Sequence, residues 1–144
     1  MASEEIIERQ QFEPDTSVLA EMRSFVLRTG QLLGLADDVL RMIALAVDEA
    51  ATNVIRHVAS HHPCTIGCAC ETNQRHSEII YEITWEDDKP FNPTIPNQET
   101  IAERVKSKTP GGLGIFLMHH LVDSINFDYR DGKCIVQLIK KVVK

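Results

Sequence analysis

Glu49 and Asn53 are the residues whose types and spacing point most directly to chemistry. They sit four positions apart in Asp48-Glu49-Ala50-Ala51-Thr52-Asn53-Val54-Ile55-Arg56-His57. On a helix, that spacing stacks them on one face. A carboxylate held there accepts a proton, and a carboxamide oxygen ligates a hard cation. Many such pairs are plain solvated helix surface. The neighbourhood favours a site. Met42, Leu45 and Ala46 continue the same stripe with apolar residues, which suits a ligand cleft better than open water.

The helix carrying this pair is predicted from about Asp38 to about Ser60. Leu40, Ile43, Ala44, Val47, Ala51, Val54 and Val58 give it a main apolar face at helical period. Asp37 and Asp38 offer caps, and His61-His62-Pro63 stops it. Ahead of it, Ile6 to Phe12 alternates as an edge strand. Pro14-Asp15-Thr16 then starts a first helix, striped by Val18, Leu19, Met22, Phe25, Val26 and Leu33 and ended by Gly34. After it come strands from about Cys64 to Glu71 and Glu78 to Trp85. The stretch Glu86 to Gly112 contains Pro90, Pro93, Pro96 and Pro110, with a short helix within Gln98 to Val105. A connection this long in a compact domain is a functional lid or a linker. A helix over Ile115 to Leu121 follows, then strands Ser124 to Tyr129 and Cys134 to Val142 around an Asp131-Gly132 turn. The order β-α-α-β-β-lid-α-β-β predicts an α/β (α+β) two-layer sandwich. Its sheet is mixed and mostly antiparallel, with helices on one face.

Composition narrows the function classes. At 144 residues, 43% hydrophobic and 25% charged, the chain suits one folded domain spanning 1–144. A net charge of −6 argues against a nucleic-acid footprint. The longest apolar run, Met42 to Val47, is too short for a bilayer, and the acidic start Met1-Ala2-Ser3-Glu4-Glu5 lacks a signal pattern. A cytoplasmic protein with no membrane partner is expected. Cys64, Cys68 and Cys70 alternate with Thr65, Gly67 and Ala69, which places them on one strand face as small apolar residues. The alternative, a metal site, lacks a closed ligand set.

Two further stretches carry chemistry. Gly111-Gly112-Leu113-Gly114 lets a backbone approach a ligand closely, and the helix beginning at Ile115 would aim its N–H groups at a phosphate. Glycines also cap helices, and neither a Rossmann fingerprint nor a P-loop fits the spacing. Trp85-Glu86-Asp87-Asp88-Lys89-Pro90-Phe91-Asn92-Pro93 puts acids at a strand end, where a carboxylate can accept from a nucleobase amino group. Alone, it reads better as a solvated acidic turn. His57, His61 and His62 suit a helix end, and His119 and His120 suit packing or exposure better than phosphotransfer.

In this order the pieces are more specific than any one of them. The sequence resembles the histidine-kinase-type (GHKL) ATPases, and more narrowly the stand-alone anti-sigma-factor serine/threonine kinases of bacterial partner switching. The resemblance covers nearly the whole chain. It rests on Glu49-Ala50-Ala51-Thr52-Asn53 with His57, on Gly111-Gly112-Leu113-Gly114-Ile115-Phe116-Leu117-Met118, and on Pro90-Phe91-Asn92-Pro93. It implies the GHKL ATPase fold with an ATP lid over about 87–112, and ATP and Mg²⁺ as cofactors. Glu49 is then the general base and Asn53 the Mg²⁺ ligand. Gly111, Gly112, Leu113 and Gly114 line the phosphates, and Phe91 joins the nucleotide-binding set. Lys106, Lys108 and Thr109 precede the glycines without a motif-level match.

The same resemblance implies a homodimer that binds a sigma factor and phosphorylates a small anti-sigma antagonist protein. One box departs from the pattern. Aligned on Pro90-Phe91, Glu86 stands for the adenine-reading Asp and Asp88 for a Gly, a position that favours positive φ. Either Asp87 or Glu86 takes the adenine role on a shifted backbone, or the chain is a non-catalytic binding module that sequesters a regulatory partner.

Overall fold

Val18, Met22, Phe25 and Val26 recur at helical spacing and are buried along one side of helix α1 (Val18–Leu32). In the computed structural model, which describes residues 4–15, 17–61, 64–73, 77–91 and 121–142, this helix follows strand β1 (Glu4–Phe12). The chain turns into the helix at Asp15, whose carboxylate accepts the Ser17 backbone N–H at 2.9 Å. It leaves at Gly34, whose φ of +70° lies where glycine costs little. Helix α2 (Asp37–His61) opens with Asp37 and Asp38, which set negative charge at its positive end. Strands β2 (Ile66–Asn73), β3 (Glu78–Glu86), β4 (Ser124–Arg130) and β5 (Lys133–Lys141) follow.

The strands form one sheet in the order β1-β2-β3-β5-β4. Each pairing among the described residues is antiparallel, so the sheet is more uniform than the mixed one expected. At Asp131 and Gly132, φ is +53° and +75°. Positive φ at both central residues is the type I′ geometry that matches strand twist, as the Asp-Gly pair predicts.

Alternation along each strand divides the sheet into two faces. Ile66, Cys68, Cys70, Tyr81, Ile83, Trp85, Cys134, Val136 and Leu138 are buried towards the helices. Glu82, Thr84, Lys133 and Gln137 occupy the other face, where Gln137 donates to Glu82 at 2.8 Å. The cysteines are free thiols, three of them buried, and Cys68 and Cys70 share the apolar face as their alternation predicts.

Side chains tie the two layers together. Arg28 pairs with Glu8 of β1 at 2.7 Å, while within the helix layer Arg23 pairs with Asp48 of α2 at 3.0 Å. Deeper, the Thr29 and Tyr81 hydroxyls lie 2.7 Å apart, joining α1 to β3. Each large apolar side chain in the shared core adds about 1.5–3 kcal/mol on burial. Ala46 corrects the sequence reading. It is fully buried with Ile43, Val47 and Ala50, so it belongs to the core face of α2 rather than to the cleft stripe. Among the described residues, no helix is long and apolar enough to cross a membrane.

Candidate functional site

One face of α2 carries Glu49, Asn53 and His57 at steps of four residues, all half-buried. At 1.5 Å per residue the three span about 12 Å along the axis. Leu45 continues the stripe at one end and is 49% exposed. Asp48, next to Glu49, is directed elsewhere and is engaged by Arg23 of α1. The helix thus separates its acids: one braces α1, and the other stands on the stripe.

The other wall is the chain leaving β3. Tyr81, Ile83 and Trp85 face the helices, so Glu86 points away and Asp87 points back. Glu86 is exposed, and it lines a recess with Gln11, Thr65, Gly67, Thr84 and Lys133 on the sheet's open side. The Asp87 side chain is only 9% exposed. Its Oδ2 lies 3.1 Å from Nε2 of His57, and its Oδ1 accepts the Lys89 backbone N–H at 3.2 Å. Burial opposes charge at Asp87. The hydrogen bonds from His57 and the Lys89 backbone outweigh it and hold the carboxyl down to about 2, below the ordinary 3.8. An ionised carboxylate only accepts, so the shared proton belongs to Nε2.

The backbone here is fixed as firmly as the side chain. The Asp87 N–H donates to the Gly132 carbonyl at 3.0 Å. Tyr129 donates its hydroxyl to the Asp87 carbonyl at 3.0 Å. Two thiols hold the flanks: Cys64 donates to the Glu86 carbonyl at 3.5 Å, and Cys134 to the Lys89 carbonyl at 3.2 Å. Burial pushes both thiols up, which keeps them protonated as donors. Asp88 needs no special conformation. Among the described residues, only Ser77 and Asp131 combine a side chain with positive φ. The strain expected from reading Asp88 as a glycine replacement is therefore absent.

Aromatic rings pack around the acid. His57 lies 5.0 Å from Phe91 and 6.2 Å from Trp85, ring centre to ring centre. Phe91 also meets Trp85 at 5.3 Å and Phe127 at 6.1 Å. The Trp85 indole N–H is buried without a partner at hydrogen-bonding geometry, while its proximity also favours the Asp87 anion.

Of the residues singled out in the sequence, His57, Asp87 and Phe91 come into direct contact, with Asn53 and Glu49 one and two turns away on the same helix. Glu86 lies on the opposite face of the sheet. Thr109, Gly111, Gly112, Leu113 and Gly114 lie outside the described residues, as do Asn92, Lys106, Lys108, His119, His120, most of the lid and all but the last residue of the Ile115–Leu121 helix. Sequence reasoning missed Tyr129, Gly132, Cys64 and Cys134 as anchors of the acid. Only the register pairing Trp85 with Cys134 and Glu86 with Lys133 reveals them.

This donor set fits an adenine nucleotide. A buried carboxylate anion beside aromatic rings suits a base bearing an amino group. An amide oxygen one turn away suits Mg²⁺, which keeps several waters and needs few protein ligands. Comparison with known proteins gives the family and the fold. The family model for the histidine kinase-like ATPase domain matches residues 12–140. A protein of Bordetella bronchiseptica named serine/threonine-protein kinase BtrW is 28% identical over 91 residues, 62% of each chain. The match thus spans under two thirds of that relative's length. Two solved structures share the fold. The SiaB–SiaC complex of Pseudomonas aeruginosa aligns with TM-score 0.62 at 7% identity, covering 93% of this chain and 89% of that one. The RsbU and RsbW domains of a Mycobacterium tuberculosis protein align with TM-score 0.60 at 9% identity, covering 93% and 32%.

Proposed function

The chain belongs to the histidine kinase-like ATPase family, and from that premise we propose that it is an ATP- and Mg²⁺-dependent protein serine/threonine kinase. The observation that carries the reading is the meeting of the Glu49–Asn53–His57 stripe with the buried Asp87 anion. A relative named as a serine/threonine kinase supports the activity.

When bound, the nucleotide supplies the transferable phosphoryl group, and Mg²⁺ neutralises charge on the phosphate oxygens. Asn53 holds the ion through its amide oxygen. Asp87 accepts the base amino group and so sets the register of the nucleotide along α2. Glu49 takes the proton of the substrate hydroxyl as that oxygen attacks, the step in which a positioned base contributes about 10²–10⁴-fold. By the family resemblance, Gly111, Gly112, Leu113 and Gly114 are the proposed phosphate contacts, and Thr109 is offered beside them; all lie outside the described residues.

The proposed biological setting is partner switching in the cytoplasm. The kinase, as a homodimer, binds a sigma factor and phosphorylates a small anti-sigma antagonist. The fold shared with the SiaB–SiaC complex supports a protein partner. The competing reading is a non-catalytic module that sequesters a partner. It is motivated by Glu86 and Asp88 in place of the family's Asp and Gly, while the inward Asp87 supports the nucleotide-binding reading. Titration of MgATP into the purified protein separates the two. Binding below millimolar nucleotide is expected, and its absence leaves only the binding module. Glu49→Gln should then abolish phosphoryl transfer, read with radiolabelled ATP and the purified antagonist, while nucleotide affinity stays within about twofold. Loss of affinity instead would remove Glu49 from the role of base.

A further inference from the structure

We propose that His57 is a positioning residue for base recognition, so that adenine selectivity belongs to the His57–Asp87 pair rather than to the acid alone. The inference rests on reading this site as an adenine pocket.

A carboxylate at the end of a strand has two free torsions, and a base-reading acid must keep both fixed. Backbone anchors from Gly132, Tyr129, Cys64 and Cys134 fix where Asp87 starts. They do not fix where its oxygens point. Two bonds do: the Lys89 N–H on Oδ1 and His57 Nε2 on Oδ2. A carboxylate offers about four acceptor positions, and these two bonds, with the Trp85 indole close by, set the direction in which its oxygens face a ligand. The His57 ring is itself held, half-buried between Phe91 and Trp85. It also rides on the helix that carries Glu49 and Asn53. Through His57, the base end and the phosphate end of the site share one rigid element.

The chemical consequence is selectivity. An ionised, fixed acceptor welcomes an exocyclic amino group and repels a carbonyl oxygen at the same place, which distinguishes adenine from guanine. An acid free to rotate swings away from the wrong base and loses most of that discrimination.

The test compares Kd values by calorimetry for MgATP, MgGTP and magnesium tripolyphosphate. The proteins are the wild type, His57→Phe and His57→Gln. Phenylalanine keeps the ring contacts and removes the nitrogen, while glutamine keeps a donor near Nε2. Expected are a fall of about tenfold in the ATP/GTP preference for His57→Phe, unchanged tripolyphosphate binding, and recovery of most of the preference in His57→Gln. In the nucleotide-free protein, carboxyl ¹³C titration should place the Asp87 midpoint higher in His57→Phe than in wild type, because a bond favouring the anion is gone. A His57→Phe protein that keeps the wild-type ATP/GTP ratio, even with uniformly weaker binding, overturns the positioning role. A wild type with no ATP/GTP preference overturns the adenine reading itself, and the inference with it.

Discussion

Two polar ties join the helix layer to β3, and they are built on opposite terms. Thr29 and Tyr81 meet in the core. The Thr29 hydroxyl reaches the Phe25 carbonyl at 2.8 Å, and the Tyr81 hydroxyl also reaches the Val26 carbonyl at 3.3 Å. Burial pushes the Tyr81 phenol up, so this tie stays neutral. His57 and Asp87 meet at the rim, and there the acid is held down as an anion. A structural tie satisfies its groups internally and exposes none. The rim tie keeps a charge at the edge of the site, where it can serve a ligand as well as the fold.

That contrast predicts that affinity and stability come apart. Removing the anion should be the largest effect. Asp87→Asn should weaken MgATP binding by about 10–100-fold, as expected for losing a charge-assisted hydrogen bond of about 1.5–3 kcal/mol, and should also lower the melting temperature at neutral pH, because a carboxyl held below its ordinary value adds stability there. Next, Thr29→Val should cost about 1–2 kcal/mol in chemical denaturation by leaving the buried phenol short of a partner, with nucleotide affinity unchanged. Tyr81→Phe should cost less, about 0.5–1.5 kcal/mol, since both partners of the lost hydroxyl retain bonds within α1. A core tie whose loss weakened nucleotide binding, or a rim tie whose loss mainly unfolded the protein, would erase the distinction.

The smallest effect is set by pH. The folded Asp87 carboxyl titrates near 2 against an ordinary 3.8. Its contribution to stability is therefore complete above about pH 4 and is lost as pH falls towards 2. Denaturation midpoints measured across that window should fall less steeply for Asp87→Asn than for wild type.

The sequence made some of this legible and hid the rest for identifiable reasons. The stripe Glu49–Asn53–His57 follows from helical period alone, and the Asp131-Gly132 turn from its residue types. Counting back from Pro90-Phe91 left Glu86 and Asp87 both open as the base-reading acid. Counting forward along the strand tells their directions apart: Tyr81, Ile83 and Trp85 point inward, so the next inward position is 87. Side-chain direction obeys the pleat of the strand, not distance from a proline. The partner of that acid was hidden, because His57 and Asp87 are 30 residues apart and no local pattern joins them. Ala46 was misplaced because small residues near the edge of an apolar stripe fit either face.

The last strand is not the last in space. β5 lies between β3 and β4, and the turn preceding it supplies the Gly132 carbonyl that receives the Asp87 N–H. During synthesis, α2 and β3 are complete long before that turn leaves the ribosome. A nascent chain therefore carries Glu49 and Asn53 for some time while the Asp87 N–H lacks its Gly132 partner. That tie on the Asp87 backbone forms only when the C-terminal hairpin pairs with β3.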